Sequence, residues 1–331
     1  MFNEILQVAR KQLDKTGNAY TIEDVIDKAT NIFLKLSKPN EKTHLEEHRK
    51  NHQDFIDRNF TRWEAGLDQL ELLYITSQEA AHSFQEHYIS FPELENDPLL
   101  GVLMRLHANA LRITSEIIHL IKGGYADGAL ARWRSLFEIS VTSLIIHKYG
   151  RQAAIDYIKH GNIKTVEGIE EYQKTAEKMN LEPYSQDEIE QAIALKETLS
   201  EGDGYWHWAR KHTGFAKLEK LRELVGLGHW SHNYKLASRN IHADYSEMRS
   251  LLGMEEATED LLLVGQSNSG MTLPAHITSI MLNQITMCFI TAYINEETNL
   301  DYNNSMVFMD LLKKYSNNVG EAFLKCQSLK P

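Results

Sequence analysis

Cysteine is nearly missing from this chain of 331 residues: Cys288 and Cys326 stand far apart and outside any CxxC spacing. That argues against a disulfide framework and against thiolate zinc sites, and it fits a reducing compartment. Proline is scarce too, at six residues, which suits a helical protein because proline breaks helix interiors. No apolar run approaches the roughly 20 residues that cross a bilayer. Stretches such as "SVTSLIIH" are interrupted by polar residues within two turns. The opening "MFNEILQVARKQLDKTG" lacks the basic start, apolar block and cleavage site of a signal peptide, so a cytoplasmic protein with no membrane partner is expected. Positive charge is short as well. A net charge of -11 disfavours broad DNA binding, which needs a basic surface, while leaving room for a small basic pocket for RNA or a nucleotide. P-loop, GxGxxG and GxSxG motifs are absent, and no cofactor is implied.

What is present is helical periodicity from end to end, without hairpin-paired strands or a fixed repeat. Thr21 with Asp24 reads as a capping box whose Asp is shorter than the ideal Glu or Gln. Paired glycines stop the helix "LGVLMRLHANALRITSEIIHLIKGG", and a short turn leads into "YADGALARWRSLFEISVTSLIIHKYG". So short a link predicts an antiparallel helical hairpin. The expected fold is all-α, a multi-helix bundle built on such hairpins with N-terminal accessory helices. Pro92 and Pro98 bracket the clearest internal boundary, giving an N-terminal helical region over 1–92, a main domain over 93–298 and a helical tail over 299–331. The long N-terminal helices suit a homo-oligomer or a protein partner.

Three groups of residues carry candidate chemistry. Tyr234, Ser238 and His242 fall at i, i+4 and i+8, which puts a phenol, a hydroxyl and an imidazole in one row on a helix. The bland alternative is a buried polar row, each member satisfied by the next or by a backbone carbonyl. Arg134 and Glu138, four apart, form either a structural ion pair or a clamp for an anionic substrate. His44, His48 and His52 have metal-like spacing but sit among Glu, Arg, Lys and Asn, which reads as a solvated face, so no metal ligands are assigned. Lys211, His207, His229 and His232 lie near apparent chain turns, where function concentrates.

The stretch "SRNIHAD" resembles the HEPN ribonuclease motif, an Arg followed by Asn, His or Asp and then, after four to six intervening residues, a His. Only Asn240 and Ile241 separate Arg239 from His242, so the spacing departs from that motif; from Arg222 to His229 it fits, but Gly226 and Gly228 break the helix. A wider resemblance covers residues 55 to 290. "RWEAGLDQLELL", "GGYADGALARWRSLFEISVTSLII", "GLGHWSHNYKLASRNIHAD" and "LLLVGQSNSGMTLPAH", in that order, resemble an uncharacterised bacterial all-helical family of unknown function, DUF5677. The resemblance implies family positions at Arg134, Glu138, Tyr234, Ser238, His242, Ser267, Asn268 and His276, and hence a polar pocket where the helices meet. Arg239, Asn240, His229 and Lys211 join it as binding candidates. The leading expectation is an enzyme of the toxin or phage-defence type acting on RNA or a nucleotide, with His242 as acid or base. A non-catalytic helical sensor or partner-binding protein is the alternative, and a metal-dependent hydrolase a weaker one.

Overall fold

The computed structural model describes residues 2–17, 19–201, 206–239, 251–259, 261–293 and 299–329. Among these the regular structure is entirely helical: α1 (Phe2–Asp14), α2 (Ile22–Ser37), α3 (Glu41–Ile89), α4 (Pro98–Lys122), α5 (Ala126–Thr175), α6 (Gln186–Leu199), α7 (Arg210–Thr213), α8 (Leu218–Leu224), α9 (Ser231–Arg239), α10 (Thr272–Ile290) and α11 (Asn299–Ser328). The chain divides into two compact units, Met1–Arg58 and Asn59–Pro331. The division falls within α3, upstream of the Pro92–Pro98 loop where the sequence pattern sets its boundary.

In the first unit the Thr21–Asp24 box forms in full. The Asp24 amide donates to Thr21 Oγ1 at 3.2 Å and the Thr21 amide to Asp24 Oδ2 at 2.7 Å. The shorter carboxylate therefore reaches after all, and the hydrogen bonds it accepts from the Thr21 amide and then the Thr21 hydroxyl hold the Asp24 carboxyl below the ordinary range. Ile5, Ala9 and Ala29 form a small core flanked by Ile32 and Phe33. His44 and His48 are exposed, as a solvated face requires.

The second unit is organised by the α4–α5 hairpin. Asp97 caps α4 by accepting from the Leu100 amide at 2.9 Å, with Pro98 in the first turn. Buried Asn59 donates to the carbonyls of Ile121 and Lys122, each at 2.9 Å, closing the other end of α4. Gly124 takes a φ of +82°, which lets the chain reverse into α5. α5 bends at Gly150, whose φ of +71° no other residue type adopts without strain.

The core of this unit buries Trp63, Trp133, Phe137, Phe289 and Phe323 completely, together with Leu67, Leu70, Leu73, Ile113 and Ile117. Trp133 Nε1 donates to the Ile277 carbonyl at 3.1 Å and so ties α5 to α10. α10 is long and apolar enough to span a membrane by length and composition alone, but two-thirds of it is buried among its neighbours as a central core helix. α11 is a core helix too. Leu312, Val319 and Cys326 recur every seven residues, with Ser316 and Phe323 on the alternate seam, and all five are buried.

His107 stands inside this core at 2% exposure, its Nε2 3.0 Å from Thr286 Oγ1 and its ring stacked on Phe289. Burial pulls its pKa down to about 4. The unfolded chain therefore binds a proton at this position below pH 6.5 that the native chain refuses until about pH 4. Stability falls as pH drops through that window and levels off below it. The cost is on the order of 3 kcal/mol. Half-buried His207, also held near 4 by burial first, adds a smaller amount. His107→Leu flattens the profile without orphaning Thr286, which also donates to the Leu282 carbonyl. Urea midpoints of both proteins from pH 7 to pH 4 check this; parallel slopes would contradict it.

Candidate functional site

Arg134 and Glu138 lie one turn apart on α5 beside Trp133, Leu136 and Phe137, which anchor the helix in the core. The anchoring holds both charged side chains at the edge of that core, a third and just under a half exposed. α9 packs across this part of α5 and delivers Tyr234, whose ring lies 5.4 Å from Phe137. The Tyr234 hydroxyl donates to Glu138 Oε1 at 2.6 Å and accepts from Arg134 Nε at 2.9 Å. Arg134 Nε and Glu138 Oε1 are themselves 3.3 Å apart. A phenol thus closes the ion pair that the i, i+4 spacing predicts. Burial first, then the hydrogen bond to Glu138, holds the Tyr234 hydroxyl above the ordinary tyrosine range. The hydrogen bond to Tyr234 raises Arg134 as well.

The arrangement is chemically directional. A tyrosine kept neutral donates a proton towards a carboxylate, and a permanent cation beside it stabilises negative charge that develops nearby. Arg134 uses Nε for this contact, with its guanidinium carbon 5.1 Å from the Tyr234 ring centre. Ser238 does not join the group by its side chain: its hydroxyl donates to the Tyr234 carbonyl at 2.7 Å, one turn back, as the bland reading of the polar row allows. That is the ordinary way a helical serine satisfies itself. Arg239 ends α9 exposed. Asn240 and His242 lie outside the described residues.

The other expected residues sit elsewhere. Asn268 Oδ1 accepts from Trp63 Nε1 at 3.1 Å, and the Asn268 carbonyl accepts from Arg62 Nη1 at 2.6 Å. Arg62 also pairs with Glu256 at 2.8 Å. The Ser267 hydroxyl donates to the Gly253 carbonyl, and its amide to that of Gly124 at 2.9 Å. This is a loop-locking network, with Asp127 accepting the Leu252 and Gly253 amides at 2.8 and 3.0 Å. His276 packs its ring against Gly320, where a methyl group would lie 2.8 Å from Nε2, and burial lowers its pKa. Lys211 pairs with Glu201 at 3.4 Å on the surface, and exposed His229 lies against Trp230. The single polar pocket expected from the resemblance therefore resolves into the Arg134–Glu138–Tyr234 group and several separate contacts.

Two features escaped the sequence reading. Fully buried Asp156 takes a hydrogen bond from His212 Nε2 at 2.8 Å, joining residues 56 positions apart. Arg222 on α8 is 6% exposed, and its guanidinium carbon stands over the Tyr234 ring, 5.8 Å from the centre. In "FAKLEKLRELVG" it looks like any other surface charge; the partial HEPN spacing to His229 was its one signal. α8 ends at Leu224, so no continuous helix joins Arg222 to His229. Among the described residues no three His, Cys, Asp or Glu side chains converge as a metal site.

No curated protein and no solved structure matches the chain. A protein-family model does match, over residues 100–260. That span is shorter than the stretch of sequence resemblance: "RWEAGLDQLELL" and "LLLVGQSNSGMTLPAH" fall outside it, as do Ser267, Asn268 and His276. Arg134, Glu138, Arg222, Tyr234 and Ser238 all fall inside. The model that residues 100–260 match is that of a family of unknown function, DUF5677.

Proposed function

We propose that this protein is an enzyme acting on RNA or a nucleotide by general acid–base chemistry centred on Arg134, Tyr234 and Glu138. The observation that carries the reading is the Tyr234 hydroxyl lodged between a carboxylate at 2.6 Å and a guanidinium nitrogen at 2.9 Å. Such a hydroxyl is set up as a relay: its oxygen can take a proton from substrate while its own proton passes to the Glu138 carboxylate, a direction fixed before substrate arrives. Glu138 holds that direction, Arg134 neutralises charge developing on a phosphate, and His242 is assigned the acid or base role from the sequence alone. An effector of the toxin or phage-defence type, whose reaction destroys cellular RNA, is the biological form of this reading.

A binding protein without turnover is the second reading. It is favoured by the hydroxyls of Tyr234 and Ser238, both already donating within the protein and neither free as a nucleophile. RNA integrity and growth after induced expression in a bacterium separate the two, with wild type beside His242→Ala and both proteins confirmed folded. Cleaved RNA and arrested growth with wild type alone support the enzyme. Intact RNA in both cultures overturns it and leaves the binding protein.

A further inference from the structure

A buried charge normally has a partner, because an isolated ion away from water is costly. The second unit follows that rule at buried Asp156, which faces His212 at 2.8 Å, at buried Asp97, which accepts the Leu100 amide, and at Arg62, which pairs with Glu256. Arg222 does not. It is 94% buried by the same measure that leaves it 6% exposed, its Nε has no hydrogen-bond partner, and no carboxylate approaches it among the described residues. Its one contact of note is the face of Tyr234, which offsets part of the cost of burying a cation. Arg134 stands over the same ring. Two guanidiniums thus stand against one phenol, with Glu138 as the single carboxylate of the group among the described residues. Among the described residues the site carries one surplus positive charge, in a chain whose net charge is -11.

We propose that Arg222 and Arg134 together seat one singly charged phosphodiester, so that the substrate is an internal linkage of an RNA strand and not a terminal phosphate. The proposal deepens the function above and rests on it for the nature of the substrate. The guanidinium fork suits phosphate because it donates two parallel hydrogen bonds to two oxygens. Arg134 spends Nε on Tyr234, and Arg222 has an Nε without a hydrogen-bond partner. The count of charge sets the class. A phosphodiester monoanion neutralises the surplus, whereas a terminal phosphate dianion overshoots it beside Glu138.

The test is thermal melting and calorimetric titration of the full chain with three probes: a dinucleoside monophosphate, a nucleoside 5′-monophosphate and a plain nucleoside. Wild type, Arg222→Met and Arg222→Lys are compared. Wild type should bind the dinucleoside monophosphate best and the nucleoside least. Arg222→Met, which keeps the apolar stem and removes the unpaired cation, should melt at or above the wild-type temperature without ligand. Its affinity for the diester should fall about 10- to 100-fold. Arg222→Lys keeps the charge without the fork, so it should stay folded and lose affinity too. Three results overturn the proposal: a lower melting temperature of Arg222→Met with diester binding intact, tighter binding of the monophosphate than the diester, or no diester binding by wild type. RNA cleavage unaffected by either Arg222 variant would remove this seat and keep the acid–base reading. Arg222-dependent binding without turnover would keep the seat and remove the enzyme.

Discussion

Tyr234→Phe lowers turnover of RNA or nucleotide about 100-fold, and it costs the fold only about 1 kcal/mol. The two effects separate because the substitution removes one oxygen and little else. The ring stays against Phe137 and under the guanidiniums of Arg134 and Arg222. Arg134 Nε and Glu138 Oε1 already lie 3.3 Å apart, so they close on each other when the hydroxyl leaves and neither charge is stranded. What disappears is the hydroxyl that would relay a proton from substrate to the Glu138 carboxylate. Since burial and Glu138 hold the hydroxyl above the ordinary tyrosine range, it stays protonated throughout neutral pH. The wild-type pH–rate profile should accordingly show no tyrosine ionisation below about pH 10. Single-turnover rates paired with urea midpoints measure both halves. A phenylalanine variant as fast as wild type would sink the assigned role of the hydroxyl, and one that unfolds would make Tyr234 a packing residue.

Local signals in the sequence carried much of the fold. The Thr21–Asp24 pair, the Gly123–Gly124 stop and the i, i+4 spacing of Arg134 and Glu138 each depend on neighbours within one or two turns, and each appears in the structure. The site was legible only in part, because its members come from separate helices. Tyr234 reaches Arg134 across 100 positions of chain, and nothing in the spacing of either segment reports that contact. The polar row at Tyr234 and Ser238 gave the correct helix, and Ser238 follows the bland reading of that row, a hydroxyl satisfied by a backbone carbonyl. A helical serine has its own carbonyl one turn back, and that near acceptor competes with a neighbouring side chain. Arg222 illustrates the opposite failure. Burial is decided by what packs on a helix, and a charged residue between Leu221 and Glu223 carries no mark of it. His107 was hidden for the same reason, in a helix face shared with Leu103, Leu106 and Ala110. The tail is different: the seven-residue recurrence of Leu312, Val319 and Cys326 was present in the sequence and marks α11 as core.

That tail supplies the largest stability effect expected. Phe323 of α11 stacks on Trp63 at 5.6 Å, and both side chains are fully buried. The ring fits because Gly66, one turn along from Trp63, presents no side chain; a Cβ there would lie 2.6 Å from Phe323 Cδ2 and 2.8 Å from Cγ. Phe323→Ala removes the ring from this slot and destabilises the second unit by about 3–5 kcal/mol, the range for emptying an aromatic site in a packed core. Gly66→Ala has two opposed effects. Alanine favours the helix by about 1 kcal/mol, while overpacking against the base of a buried ring costs about 1–3 kcal/mol. The steric term wins where the ring cannot swing away, and the contact at Cγ, next to the backbone of α11, leaves it little room. The pair is therefore coupled in sign. Combined with Phe323→Leu, Gly66→Ala should cost less than it does alone, because the smaller side chain admits the methyl group. Urea unfolding of the four proteins in that cycle gives the coupling directly, and additive losses would show that Gly66 is not what seats the tail.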